Sequence, residues 1–598
     1  MSTISFTGKA VGCWRMLPAI LIPVLLVGIF LCNSRTANAQ DGHGIADHIS
    51  AGEIPIAIDA ANKLPMNQRD QWLSEIARSQ MNSGAAGGAF YTAQQIQNDD
   101  SRSGLLGDFH DQRFGNLGNF NNVPLGNGGL NPNPRGGITE ADFNDLVNLI
   151  RNTIEPDSWD DAQGLGSLQP YPAGVFVSAD GTLKRISIDR SKTANRLKNR
   201  AVRDSGNRNA TLPSDLRMVS LTRLERAAQL AMARGDKLNE MMHNMAGIYE
   251  IKFVTVFPES GDVVIAGPAG DWEMNDQGRP VNVDTGKPVL QLDDLVVCLR
   301  NAKSESGKFG CSINPRHQNL VATKKFLETN KLKGKKWAEG LRTALGQQDI
   351  EVFGIDPDTH AARVLVEADY RMKLIGMGLE ESIPEVPSYF KRLTDNQRNT
   401  ASDVVRWWFT MNYDDVVSDE ARTVFSFEGT GVKVLSETEF LNQQGQRVHT
   451  GKSNAETSGF AKDFTKHFEK LSDKYPVYRQ LKNLFDLALV AGIIDQQKLD
   501  DRVNWKQAFF VGNEDDSFRY QVRRDVSAKQ VDSVMNQQVI KRRKQRSTVT
   551  QTIVGVSGGI TFDAAAVISA PLVDDEGQLS EQQTLAIPEA DETLWWWD

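Results

Sequence analysis

The chain has 598 residues, with 67 Lys and Arg against 76 Asp and Glu, a net charge of −9. An acidic balance argues against a nucleic-acid partner, because such binding rests on neutralising phosphates. At 40% hydrophobic and 24% charged, the composition is that of a globular chain long enough for several domains.

Residues 1–39 read as an export leader. Lys9 and Arg15 supply positive charge, 17–31 is an unbroken apolar run, and Ala37-Asn38-Ala39 has the small-x-small pattern of a cleavage site. The run is short of the about 20 residues a bilayer span needs. The expectation is cleavage after Ala39 and a periplasmic or extracellular chain starting at Gln40. A retained anchor is the alternative, and a lipid-modified Cys32 fits poorly because Leu31 stands where a small residue is wanted. The leader holds three basic residues and no acids, so the remaining chain sets 64 basic residues against 76 acidic ones.

Beyond the leader, 40–82 carries loose helical periodicity, with Pro55 and Pro65 as breaks. The stretch 83–137 is rich in Gly and Asn and reads as a flexible linker. From 138 to 330 a first α+β module is expected. Strands over 174–178 and 182–188 flank Asp180-Gly181, a strong hairpin signal. An amphipathic helix over 220–234 ends at Gly235, and a second, Met-rich helix follows over 236–246. Strands over 251–257 and 262–266 enclose Pro258-Glu259-Ser260-Gly261. A second module, 331–500, opens with a similar pair over 350–355 and 362–367 around Asp356-Pro357-Asp358-Thr359. It continues with strands over 404–411, 423–427 and 432–436, then two helical stripes, one through Phe460, Phe464 and Phe468, the other through Tyr478, Leu481 and Phe485. The rest, 501–598, reads as irregular apart from a β-like run over 549–573, and ends in an acidic stretch and Trp595-Trp596-Trp597-Asp598. The expected fold class is α+β, with antiparallel hairpins packed on amphipathic helices.

Cys298 and Cys311 are the cysteines outside the leader. Two thiols in an oxidising compartment most simply form one disulfide, and a buried free pair is the other reading. Gly555-Val556-Ser557-Gly558-Gly559 fits a hydrolase nucleophile elbow, but no histidine follows Ser557 in the chain order that such a triad needs. Asp293 and Asp294 stand where a helix begins, and capping is favoured over acid–base work. Trp159, with Asp160 and Asp161, offers a stacking face beside carboxylates, hence a candidate ligand contact, against a turn stapled by a buried indole. In a strand, Arg406-Trp407-Trp408-Phe409 would send alternate aromatics to opposite faces. The basic run 541–546 suits a solvated linker or contact with anionic lipid or polymer. Trp595, Trp596 and Trp597 cannot share one face of an element, so they are expected to stay exposed, as a docking tag for a partner groove or a bilayer interface or as a frayed tail with no role. No metal or cofactor motif is complete, and no catalytic set can be named.

Several segments together resemble an uncharacterised family of secreted proteins from planctomycete bacteria: 153–168 (TIEPDSWDDAQGLGSL), 174–186 (GVFVSADGTLKRI), 262–272 (DVVIAGPAGDW), 285–302 (TGKPVLQLDDLVVCLRNA) and 483–494 (NLFDLALVAGII). The likeness covers roughly 150–500, and runs like the first occur near secretin-type regions of envelope proteins. The resemblance implies export and an envelope setting and supplies no catalytic residue. The expected function is a non-enzymatic envelope or extracellular protein that binds or scaffolds an envelope protein or polymer, with peripheral membrane contact possible. A secreted glycosidase-like hydrolase using Asp157, Asp160, Asp161, Asp293 and Asp294 is the alternative.

Overall fold

The computed structural model describes residues 44–114, 167–171, 174–178, 211–330, 335–393, 404–441, 447–449, 451–512, 518–525, 529–541, 548–568, 573–574 and 594–598. The chain divides into two compact units near residue 105.

The first unit is helical. After a helix over 44–51 come Ile54–Ala61, Met66–Asn82 and Ala86–Gln94. The prolines act as expected: Pro55 sits in the first turn of one helix and Pro65 at the N-cap of the next. Asp70 is buried and accepts from the backbone N–H groups of Gln97 and Asn98 at 3.0 and 2.7 Å. The linker expected from 83 onward is corrected here. Residues 86–94 and the helix Asp99–Phe114 are ordered, and 115–137 lies outside the described residues. Small residues misled: Ala89 and Ala93 are fully buried beside Phe90, so this helix packs through a small-residue face that composition reads as flexible.

The second unit is built on two sheets. Its strands are β1 (Ser167–Tyr171), β2 (Gly174–Ser178), β3 (Ser214–Ser220), β4 (Phe253–Phe257), β5 (Asp262–Ala269), β6 (Trp272–Met274) and β7 (Pro280–Asn282). Next come β8 (Lys308–Pro315), β9 (Gln347–Phe353), β10 (Val404–Asn412), β11 (Val417–Ser418), β12 (Val424–Ser426), β13 (Gly431–Leu441) and β14 (Arg447–His449). The last are β15 (Gln530–Asp532), β16 (Met535–Lys541), β17 (Thr548–Asp563), β18 (Val573–Asp574) and β19 (Trp596–Trp597). The seven-stranded sheet has the order β18-β11-β12-β4-β5-β3-β19. The larger sheet runs β14-β13-β10-β17-β8-β9-β15, with β16 on the first half of β17. β10 and β17 pair in parallel, as do β11 and β18; the other pairs are antiparallel.

These sheets cut across the expected modules. β8 lies beside both β9 and β17, and β4 beside β12, so a boundary at 330 separates nothing. The C-terminal stretch expected to be irregular supplies five strands. The hairpin expected around Pro258-Glu259-Ser260-Gly261 stands as β4 and β5. The one expected around Asp356-Pro357-Asp358-Thr359 does not: 362–367 lies inside the helix His360–Gly376, and β9 pairs with β8. Thr359 decides this locally, since its side chain accepts from the N–H of Ala362 and starts a helix where a turn was expected. β2 pairs back onto β1, and 182–188 lies outside the described residues.

Helix Leu221–Arg234 has the expected limits, with Ser220 as N-cap and Gly235 at φ 76° as C-cap. The Met-rich helix is reduced to Glu240–His243, because Met245, Ala246 and Gly247 all take positive φ. Met241, Met242 and Met245 are buried. The α+β class stands as expected. Among the covering helices, Pro476–Gln496 is buried from Val477 to Gly492 except at Lys482, and it packs on Leu292–Ala302 and His360–Gly376. Beside it an aromatic cluster forms as the two stripes predict: Phe464 meets Tyr478 edge-on at 5.2 Å and Phe460 meets Trp407 at 4.7 Å. Trp407 is fully buried and donates from its indole to the Thr457 carbonyl at 3.1 Å. Its neighbours go to the other face, where the Arg406 guanidinium lies 4.7 Å from the Trp408 ring.

Candidate functional site

The Gly-Val-Ser-Gly-Gly segment lies inside β17 and not on a strand-to-helix turn. Ser557 pairs with Trp407 and Gly559 with Trp408, so Gly558 is the extra residue of a β-bulge. Gly559 has φ 89°, and a Cβ there would stand 2.0 Å from the Cys311 carbonyl oxygen. The glycines serve close backbone packing.

Cys298 and Cys311 are free and buried, which corrects the expected disulfide. Cys298, on the helix Leu292–Ala302, turns its Sγ to the Leu484 carbonyl at 3.8 Å. Cys311, in β8, stands opposite Val352 and Ile560. Each thiol is enclosed by its own neighbours, and burial pushes both above the ordinary thiol range.

The polar centre of the second unit is a cavity of about 110 Å³ where two helix N-termini meet. Asp293 and Asp294 stand in the first turn of Leu292–Ala302, at the positive end of its dipole as expected, but Gln291 is the N-cap and both carboxylates bond tertiary partners and not the helix N–H groups. Asp293, 3% exposed, accepts from Arg523 Nε at 2.6 Å, from the Arg523 backbone N–H at 3.2 Å and from the Tyr520 hydroxyl at 2.9 Å. Burial, the largest single influence, raises its pKa; the Arg523 charge, the His243 ring and the hydrogen bonds from Arg523 together bring it below the usual range. Asp294 bonds His360 Nδ1 at 2.9 Å. His360 is the first residue of its helix, and its Nε2 lies 3.3 Å from Gln480 Nε2.

Gln480 orients this chain. Its Oε1 accepts from Arg279, so its amide nitrogen is the donor to His360. With Nε2 accepting from Gln480, the hydrogen bond to Asp294 is donated from the Nδ1 side of the ring. Arg279 also reaches Glu367 at 2.5 Å. Glu367 is pushed up by burial and, more strongly, down by Arg279 and Arg363, ending below its ordinary value. Arg363 pairs Asp525 at 3.0 Å, and Arg524 pairs Asp358 at 3.2 Å. The result is a small cleft lined by alternating donors and acceptors, each cation answered by a carboxylate. The sequence reading found Asp293 and Asp294 and missed His360, Arg279 and Gln480. The signal for His360 was the capping Thr359 followed by apolar residues at helical spacing.

The expected exposure of the three indoles is also corrected. Trp595, Trp596 and Trp597 are 7%, 3% and 6% exposed. β19 closes the edge of the seven-stranded sheet, with Trp596 opposite Val219 and Trp597 opposite Met218. The three still do not share one face; both faces of this edge strand are covered. Trp597 joins Met218, Val264 and Ala266, and the Arg217 guanidinium lies 4.6 Å from the Trp596 ring. Trp159, Asp160 and Asp161 lie outside the described residues.

Among the described residues, no helix is long and apolar enough to cross a membrane, and no three His, Cys, Asp or Glu side chains are grouped to hold a metal ion. Over residues 311–389 the chain is similar to a family described as a protein of unknown function, DUF1598. That span runs from β8 through His360 and Glu367 to Tyr389. No curated protein and no solved structure matches the chain.

Proposed function

We propose that this chain is an exported, non-enzymatic protein of the cell envelope or extracellular space that binds an envelope protein or polymer. The leader-like residues 1–39 and the resemblance to secreted planctomycete proteins support the location. The ion-paired cleft supports binding, and the state of Asp293 carries the reading. A glycosidase of the carboxylate type needs an acid that keeps its proton near neutral pH. Asp293 is instead held ionised by Arg523, and Asp294 is committed to His360. A cleft of fixed, alternating donors and acceptors is suited to hydrogen-bonding a polar ligand without changing it.

The test is co-sedimentation of the purified chain with insoluble envelope polymer from its own cell. The chain pellets, and the double variant Arg363→Gln, Arg524→Gln pellets at least tenfold less at equal thermal stability. Hydrolysis of that polymer, lost on Asp293→Asn or Asp294→Asn, would overturn the binding reading. Fractionation that leaves the chain in the cytosol with residues 1–39 attached would overturn the location.

A further inference from the structure

From the last strand we infer that the β3 edge is a peptide-recognition site. It takes an extended segment with consecutive aromatic residues followed by an acid, and residues 594–598 of this same chain occupy it. This inference is independent of the cleft and of what the cleft binds.

Both arginines of the site are also anchored by groups outside residues 594–598. Arg217 has a fully buried side chain. It is held by the carbonyls of Ala246 at 2.8 Å and Leu212 at 3.1 Å. Arg223 is clamped by Asp262 through bonds of 2.9 and 2.8 Å, and Ser220 braces the same carboxylate at 2.6 Å. These two arginines hold their guanidinium groups along the β3 edge that β19 covers. The segment then satisfies each feature in turn. The Ser220 N–H donates to the Trp595 carbonyl at 2.9 Å, and Arg223 reaches the Leu594 carbonyl at 3.4 Å. Trp597 lies on the apolar cluster with the Arg223 guanidinium 5.7 Å from its ring, and Trp596 sits by Arg217. Asp598 closes the site as a bidentate partner of Arg217, at 2.7 and 2.9 Å. Main-chain bonds along an edge, side-chain pockets on both faces and a bidentate arginine for an acid are how sheets recognise peptides.

The connection explains why this chain's own segment holds the site. β18 ends at Asp574 on one edge of the sheet and β19 lies on the opposite edge, six strand spacings away. At ~4.8 Å each that is about 29 Å. Because the segment belongs to the same chain its docking is intramolecular, so a free competitor must displace a tethered occupant. Residues 575–593 hold six acids and no Lys or Arg.

The experiment uses the full chain with a specific-protease site placed between Gln582 and Gln583, cut after folding. The 583–598 fragment should stay with the body in gel filtration. A fluorescent peptide of residues 588–598 should replace it saturably, and the same peptide with Asp598→Asn should bind at least tenfold more weakly. In parallel, the uncut chain carrying Asp598→Asn should take up the labelled native peptide at a concentration where the native chain takes up none. Equal binding of the two peptides would overturn the inference. So would unfolding on cleavage, or a cut or substituted chain that takes up no peptide.

Discussion

An ionised side chain is buried only with an answering charge, because an unpaired one costs several kcal/mol. The cleft obeys this at Asp293, and the consequence is a pH dependence. Its folded pKa is depressed, so its contribution to stability is complete above the unfolded value of about 4 and is lost as pH falls through the folded value. Asp293→Asn should cost about 1–3 kcal/mol at pH 7, a discounted figure because the Arg523 side chain is 47% exposed. Urea midpoints at pH 7, 4 and 3 should show the native chain weakening below pH 4 and the variant weakening less. The thiols give a second check. A soluble thiol reagent should label neither Cys298 nor Cys311 in the folded chain and both in urea without reductant; labelling that requires reductant would restore the disulfide. Residue chemistry was legible where it was local. Proximity in sequence to Leu295 revealed the place of Asp293, but its partner is Arg523, which no spacing rule connects to it.

Among the elements, those with uninterrupted periodicity were read correctly: Leu221–Arg234 between its Ser and Gly caps, β4 with β5, and β10 with alternate aromatics on two faces. The misreadings fell where one local signal has two outcomes. Asp356-Pro357-Asp358-Thr359 can close a hairpin or cap a helix, and the capping oxygen of Thr359 chose the helix. Small residues at 86–94 can be flexible or closely packed, and burial of Ala89 and Ala93 chose packing. Limited proteolysis should therefore spare 86–112, and cuts within Ala86–Gln94 would refute the helix. The bulge in β17 is a further point of low tolerance. Gly559→Ala forces a side chain onto positive φ and against the Cys311 carbonyl, so it should lower stability by at least about 2 kcal/mol in urea unfolding.

For the whole molecule, sequence periodicity identifies strands and says nothing of their partners. β10 pairs with β17 across more than a hundred intervening residues, and β4 lies beside β12. That is why two modules were expected where the chain builds interleaved sheets. The second unit should accordingly unfold as one. Tryptophan fluorescence and far-ultraviolet circular dichroism should give coincident urea transitions for residues 211–598. Two separated transitions assignable to either side of residue 330 would contradict the sheet order.

The place of β17 also sets a timetable. It lies between β8 and β10 yet is synthesised after both. Until residue 563 has emerged, both neighbours keep an open edge and the larger sheet cannot close. If the chain is exported as proposed, threaded through a membrane channel as an unfolded polymer, a central strand made late would keep the sheet unsealed for most of the passage. The same order leaves any product that stops before residue 548 with two bare edges facing each other, a chain built to aggregate.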